Sequence, residues 1–169
     1  MSGDACEERG ERGEPIESPR LDVIGRERLC LSVAALRSLP SVERRCTVAC
    51  ASGRRTTARW RGVPVPELLD RASMPEATTH LVIGSDDGYR ACVAVRDALD
   101  GIVAYARDGT QIWDERPYAT RFVAPGIEGA RTVRGPTRIE GVALAPGADP
   151  DAYEARPAPP GDHSSPRVD

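Results

Sequence analysis

Residues 79 to 95 read "THLVIGSDDGYRACVAV", two apolar alternations on either side of Asp86-Asp87-Gly88. Period-two alternation puts every second side chain on one face of an extended chain, and an Asp-Gly turn between two such runs signals a hairpin. The same pattern recurs in "IVAYARDGTQIW" around Asp108-Gly109, and in "LDVIG" and "RLCLS" around Gly25-Arg26. "ERRCTVAC", "TRFVAPG" and "TRIEGVAL" add further extended runs. Only short helical segments stand between them. "VAALRSL" is capped by Ser32 and stopped by Pro40, "VPELLDRA" carries Pro66 in its first turn, and "RDALDG" is closed by Gly101. Many short strands with a few brief helices predict an α+β domain, rich in β structure and built of mixed sheets.

Residues 21–145 hold this pattern, a length suited to one domain. Residues 1–20 and 146–169 carry charge, Gly and Pro with little to bury, so both are expected to be disordered tails. Aromatic residues are only 4% of the chain, which leaves the core to Val, Leu, Ile and Ala. A net charge of -3 gives no reason to expect nucleic acid or an acidic membrane as partner. No apolar run approaches the ~20 residues of a membrane helix, and no secretory h-region opens the sequence. The expected location is therefore cytoplasmic, with reduced thiols. The five cysteines lack CxxC spacing, which argues against a structural zinc site.

The chemistry-bearing stretch is "CTVACASGRR", residues 46 to 55. Cys46, Val48 and Cys50 share one face of a strand, and Cys50 stands at its exit. Small residues after it let a ligand approach the backbone, and neighbouring guanidinium groups favour thiolate. Equally, Cys50 can be a small buried hydrophobe with Arg54 and Arg55 solvated. These residues alone leave both readings open. A Cys46–Cys50 disulfide is ruled out on an unbroken strand, because four residues span ~13 Å.

The wider pattern resembles the molybdopterin-binding domain of the sulfite oxidase family. "CASGRR" corresponds to the family's Cys-Ala-Gly-Asn-Arg-Arg strand exit, and "WRGVPVPELL" to its Trp-x-Gly-Val-Pro-Leu-x-x-Leu-Leu segment. "SDDGYRACV", "IVAY" with "RDG", "RFVAPG" and "GARTVRG" follow in the family's order, ahead of the strand "TRIEGV". Six motifs in register span residues 21–145. The resemblance implies a sulfite-oxidase middle-domain-like fold and a molybdopterin cofactor carrying molybdenum. The implied activity is that of a molybdenum-dependent oxidoreductase. It would transfer an oxygen atom to or from a small anion or sulfoxide, and an electron-transfer partner would serve it.

Carried over residue by residue, the resemblance makes Cys50 the thiolate ligand of molybdenum, since soft sulfur suits that metal. Arg55 matches an arginine of the oxyanion substrate pocket, where a guanidinium fork holds anions through charge-assisted bonds. Arg54 is expected in solvent. Tyr105 matches the active-site tyrosine, whose hydroxyl can donate to a molybdenum oxo group or to bound substrate. Arg131 and Arg134 match the Arg and Lys of the loop that approaches the polar and phosphate end of the pterin. Asp86 and Asp87 lie near this pocket but are equally explained by turn chemistry.

The sequence also departs from the family. The Arg-Asn-His-like element that grips the pterin upstream has no counterpart, the turn His of the family gives way to the region of Arg116, and Gly135 stands where a Trp is usual. These departures support a second reading, a non-enzymatic module of the same fold that binds a pterin-like or anionic ligand or docks a partner.

Overall fold

In the computed structural model, the structure describes residues 20–49 and 52–155. Ten strands form two sheets among these residues. Strands β1 (Arg20–Ile24) and β2 (Arg28–Ser32) form the first hairpin, and Ser32 Oγ caps α1 (Val33–Ser38) by accepting from the Ala35 amide at 3.1 Å. β3 (Val42–Ala49) pairs antiparallel with β4 (Arg55–Pro64), which leads into α2 (Val65–Arg71). The hairpin β5 (His80–Ser85) and β6 (Arg90–Ala94) turns at Asp86-Asp87-Gly88, and α3 (Val95–Ala98) follows. β7 (Ile102–Arg107), β8 (Thr110–Gln111), α4 (Ile112–Glu115), β9 (Arg121–Val123) and β10 (Pro136–Val142) complete the order. The expected β-rich α+β architecture is the one observed.

One sheet runs β2-β1-β10-β5-β6, with β1 and β10 parallel and the other neighbours antiparallel. The other runs β3-β4-β7-β8, and β9 also pairs with β7. The larger core joins both sheets through Val23, Leu81, Ile83 and Ile139 from the first and Val63, Val103 and Phe122 from the second, with Leu36 and Leu68 from the helices. A smaller core covers the opposite face of the second sheet, where Cys46, Val48, Ala58, Trp60, Ile102 and Ala104 meet Ile112 of α4.

Two features differ from the sequence reading. β4 is the longest strand yet has no counterpart in it, because Arg55, Arg59 and Arg61 obscure the inward set Thr56, Ala58 and Trp60. The stretch assigned to a loose C-terminal tail is also ordered as far as Ala155. Pro150–Tyr153 forms a 3-10 turn whose Asp149 side chain accepts from the Asp151 amide, and Arg90 and Ala155 exchange backbone hydrogen bonds of 2.7 and 3.0 Å. Those bonds satisfy the outer edge of β6, which an apolar-content criterion cannot anticipate. Residues 1–19 and 156–169 lie outside the described residues.

Candidate functional site

Two clefts share a wall made by Arg121 and Arg134. The two arginines face each other in an isolated antiparallel bridge, flanked by Phe122 N–H to Val133 O at 2.9 Å and Gly135 N–H to Thr120 O at 2.7 Å. Arg121 is only 8% exposed. Its Nη2 donates to Thr132 Oγ1 at 2.9 Å and its Nε to Thr132 O at 3.3 Å.

The first cleft, about 630 Å³, opens where Ala49 at the end of β3, the β5–β6 turn and the loop Glu128–Arg134 converge. Asp87 lies on its wall and accepts from the Tyr89 amide at 3.0 Å and from the Ser85 hydroxyl. The Ser85 hydroxyl first, then the Tyr89 amide, hold its carboxyl below the ordinary value, so Asp87 is an ionised acceptor at neutral pH. Tyr89 donates its hydroxyl to Ala130 O and so ties hairpin to loop. On the far side Gly129 rests against β3, where a Cβ would stand 1.3 Å from Ala49 O. Only glycine fits there.

The second cleft, about 450 Å³, lies on the small-core face of the second sheet. Among the described residues its wall carries five arginines, Arg54, Arg107, Arg116, Arg121 and Arg134, and no Asp or Glu, while Arg107 Nε lies 3.9 Å from Asp108 Oδ2 beside it. Arg107 and Arg121 lie over the Trp60 ring at 5.4 and 5.7 Å from its centroid, within cation–π range. Trp60 is 3% exposed, and its Nε1 is a buried donor with no hydrogen-bond partner among the described residues. Buried donors are normally satisfied, so this one is an exception, and the convergent guanidinium groups of the cleft suit a negatively charged group.

The residues expected from sequence are distributed unevenly around these clefts. Arg134 lines both. Arg54 is exposed, as expected, and lines the rim of the second, while Arg55 is exposed too and lines neither. Within β4, Thr56 and Trp60 face the second cleft and Ala58 the small core, whereas Arg55 shares the parity of the exposed Thr57 and Arg59; Arg54 precedes the strand. Tyr105 is 7% exposed in the larger core, with the Arg37 guanidinium 5.9 Å from its ring centroid, and lines neither cleft. Arg131 points away from both and pairs with Glu154 at 3.2 Å and Asp151 at 3.0 Å. The Glu154 hydrogen bond raises its pKa above the ordinary arginine value. Cys50 lies outside the described residues.

Arg121, Arg107 and Trp60 line the clefts without a role expected from sequence, and Arg116, at the place of the family's turn His, joins them. A usable signal was present at Arg121, an arginine opening the otherwise apolar strand "RFV". The convergence of the other three is set by tertiary pairing, in which Trp60 stands opposite Arg107 across β4 and β7.

The family model described as "Oxidoreductase molybdopterin binding domain" matches residues 15–145. The chain is 30% identical to the sulfite oxidase of Gallus gallus over 80% of this chain and 36% of that protein. It is 27% identical to the mitochondrial sulfite oxidase of Homo sapiens over 71% of this chain and 28% of that protein. The chain thus spans about a third of the length of these relatives. The sulfane dehydrogenase SoxCD of Paracoccus pantotrophus shares the fold, with a TM-score of 0.68 at 20% identity over 74% of this chain and 38% of that one.

Proposed function

Because the chain belongs to the oxidoreductase molybdopterin binding domain family, related to sulfite oxidase, we propose that its two clefts together hold molybdopterin and a small anionic substrate. The observation that carries this reading is the set of five arginines on the wall of the second cleft, two of them over the Trp60 ring. The side chains present fit such a cofactor. Arg121 and Arg134 would take its phosphate end through charge-assisted bonds, and ionised Asp87 would accept from N–H groups of the pterin ring. Clefts of about 450 and 630 Å³ lie within the size range of small-molecule sites.

When bound, the molybdenum of the cofactor supplies two-electron redox chemistry coupled to oxygen-atom transfer. The protein's own contribution is placement and charge. Arg54, Arg107 and Arg116 would hold an oxyanion or sulfoxide oxygen by their N–H donors. Arginine remains charged at every working pH, so this anion grip does not titrate away. Cys50, which follows the strand end beside the first cleft, is the thiolate assigned to the metal.

The test is metal and pterin analysis of the 169-residue chain produced in a host that loads a full-length sulfite oxidase. The reading expects about one molybdenum and one pterin per chain, with molybdenum lost in Cys50→Ser. A chain that carries neither, beside a loaded control, overturns it.

A further inference from the structure

The loop Glu128–Arg134 supplies one side of the first cleft and, through Arg134, part of the second. Two contacts fix it from the front, the Tyr89 hydroxyl on Ala130 O and the seating of Gly129 against Ala49. Its rear is held by residues beyond the family match, which ends at residue 145. Glu154 has a side chain only 10% exposed. Its carboxylate accepts from the Cys92 amide at 3.1 Å and from Arg131 Nε and Nη2 at 3.4 and 3.2 Å. Asp151 adds a more exposed contact to the same guanidinium at 3.0 Å. The Arg90–Ala155 backbone pair anchors this segment to β6.

We propose that the C-terminal segment Asp149–Ala155 is a strut of the site and that Glu154 is a positioning residue acting through Arg131. Arg131 adjoins Thr132, whose hydroxyl donates to Gly129 O at 2.5 Å and accepts from Arg121 Nη2 at 2.9 Å. A continuous path therefore runs from the Glu154 carboxylate through Arg131 and Thr132 to the Arg121 guanidinium over Trp60. The strut assigns Arg131 a structural duty toward the cofactor wall in place of direct contact with the pterin. Charge-assisted bonds at a half-buried site hold geometry better than an exposed pair, because solvent screens them less.

This inference rests on reading the clefts as the cofactor site, and two separate readouts keep the two apart. The first is amide hydrogen exchange on the cofactor-free chain, compared between wild type, Glu154→Ala and Glu154→Gln. Glu154→Ala is expected to speed exchange at the Thr132 and Gly135 amides on the order of tenfold, with Ile83 in β5 unchanged. Glu154→Gln, which keeps an acceptor for the Cys92 amide, is expected to fall between, and it carries the test if the alanine variant fails to fold. Unchanged exchange at Thr132 and Gly135 in the folded variants overturns the proposal. The second readout is pterin retained per chain after loading and gel filtration. The expected loss is on the order of tenfold in Glu154→Ala with partial rescue in Glu154→Gln. Full retention in both, beside a loaded wild type, overturns the strut while the cofactor reading stands. A wild type that takes up no pterin overturns the cofactor reading, and the strut is then decided by exchange alone.

Discussion

Arg121 and Arg134 face each other across a single antiparallel bridge, and both side chains wall both clefts. Two like charges in cross-strand register repel, a cost that Thr132 offsets by accepting from Arg121 at two oxygens. An anion bound by both guanidinium groups would offset the remainder. Arg134→Met is accordingly expected to weaken sulfate binding about tenfold, roughly 1.4 kcal/mol, as measured by calorimetric titration. Equal affinity in the variant would remove Arg134 from the anion site.

Arg54 precedes β4 and lines the second cleft, whereas Arg55 opens the strand on its outward side. Arg54→Met is expected to lower sulfate affinity by a similar factor, whereas Arg55→Met should bind as wild type does. The reverse ranking would return Arg55 to the anion pocket and contradict the alternation of β4.

Gly129→Ala introduces a methyl group 1.3 Å from Ala49 O, so the loop must lift from β3. Loaded protein is expected to retain less pterin than wild type, read by the fluorescence of the released pterin, with the circular dichroism of the sheets preserved.

Phe122, fully buried between Arg121 and Val123, belongs to the core that joins both sheets. Phe122→Ala is expected to cost about 3–5 kcal/mol, cavity included. Urea denaturation monitored by tryptophan fluorescence measures it, and a loss below about 1 kcal/mol would show that the core collapses around the gap.

Burial pushes the Cys46 and Cys92 thiols above their ordinary value of 9.0, with the Glu154 charge adding to the effect at Cys92. The folded state holds these protons more tightly than the unfolded chain. This contribution to stability is complete below about pH 9 and is lost as pH rises through the folded values. Melting temperature is expected to fall above that pH, and less steeply in a Cys46→Ala, Cys92→Ala double variant. Parallel profiles would assign the fall to other groups.

The hairpins, the Ser32 cap and the turn at Asp108-Gly109 were legible because each is decided by residues adjacent in sequence. The cofactor class is readable from motif order, and the same motif puts Arg134 on the wall of both clefts. β4 was hidden because its outward side chains are arginines, whose charge masks the smaller inward set. The outward side of Arg55 is readable only once that strand is drawn, since without the strand there is no parity to read. The pairing of Arg131 with Glu154 is not readable from sequence, because Glu154 lies twenty-three residues away in a segment that composition marks as loose. Tyr105 carries a hydroxyl suited to catalysis, yet alternation along β7 turns it into the larger core.

The central strand of the first sheet is β10, which sits between β1 and β5 and pairs Val23 with Ile139. During synthesis, β1, β2, β5 and β6 therefore emerge as two separate hairpins with no common partner. They can join only once residues 136–142 have cleared the ribosome. Topology of this kind makes folding slow and leaves unpaired edges exposed in the meantime, so yield in a heterologous host should respond to growth temperature and to chaperone supply more than the finished fold would suggest.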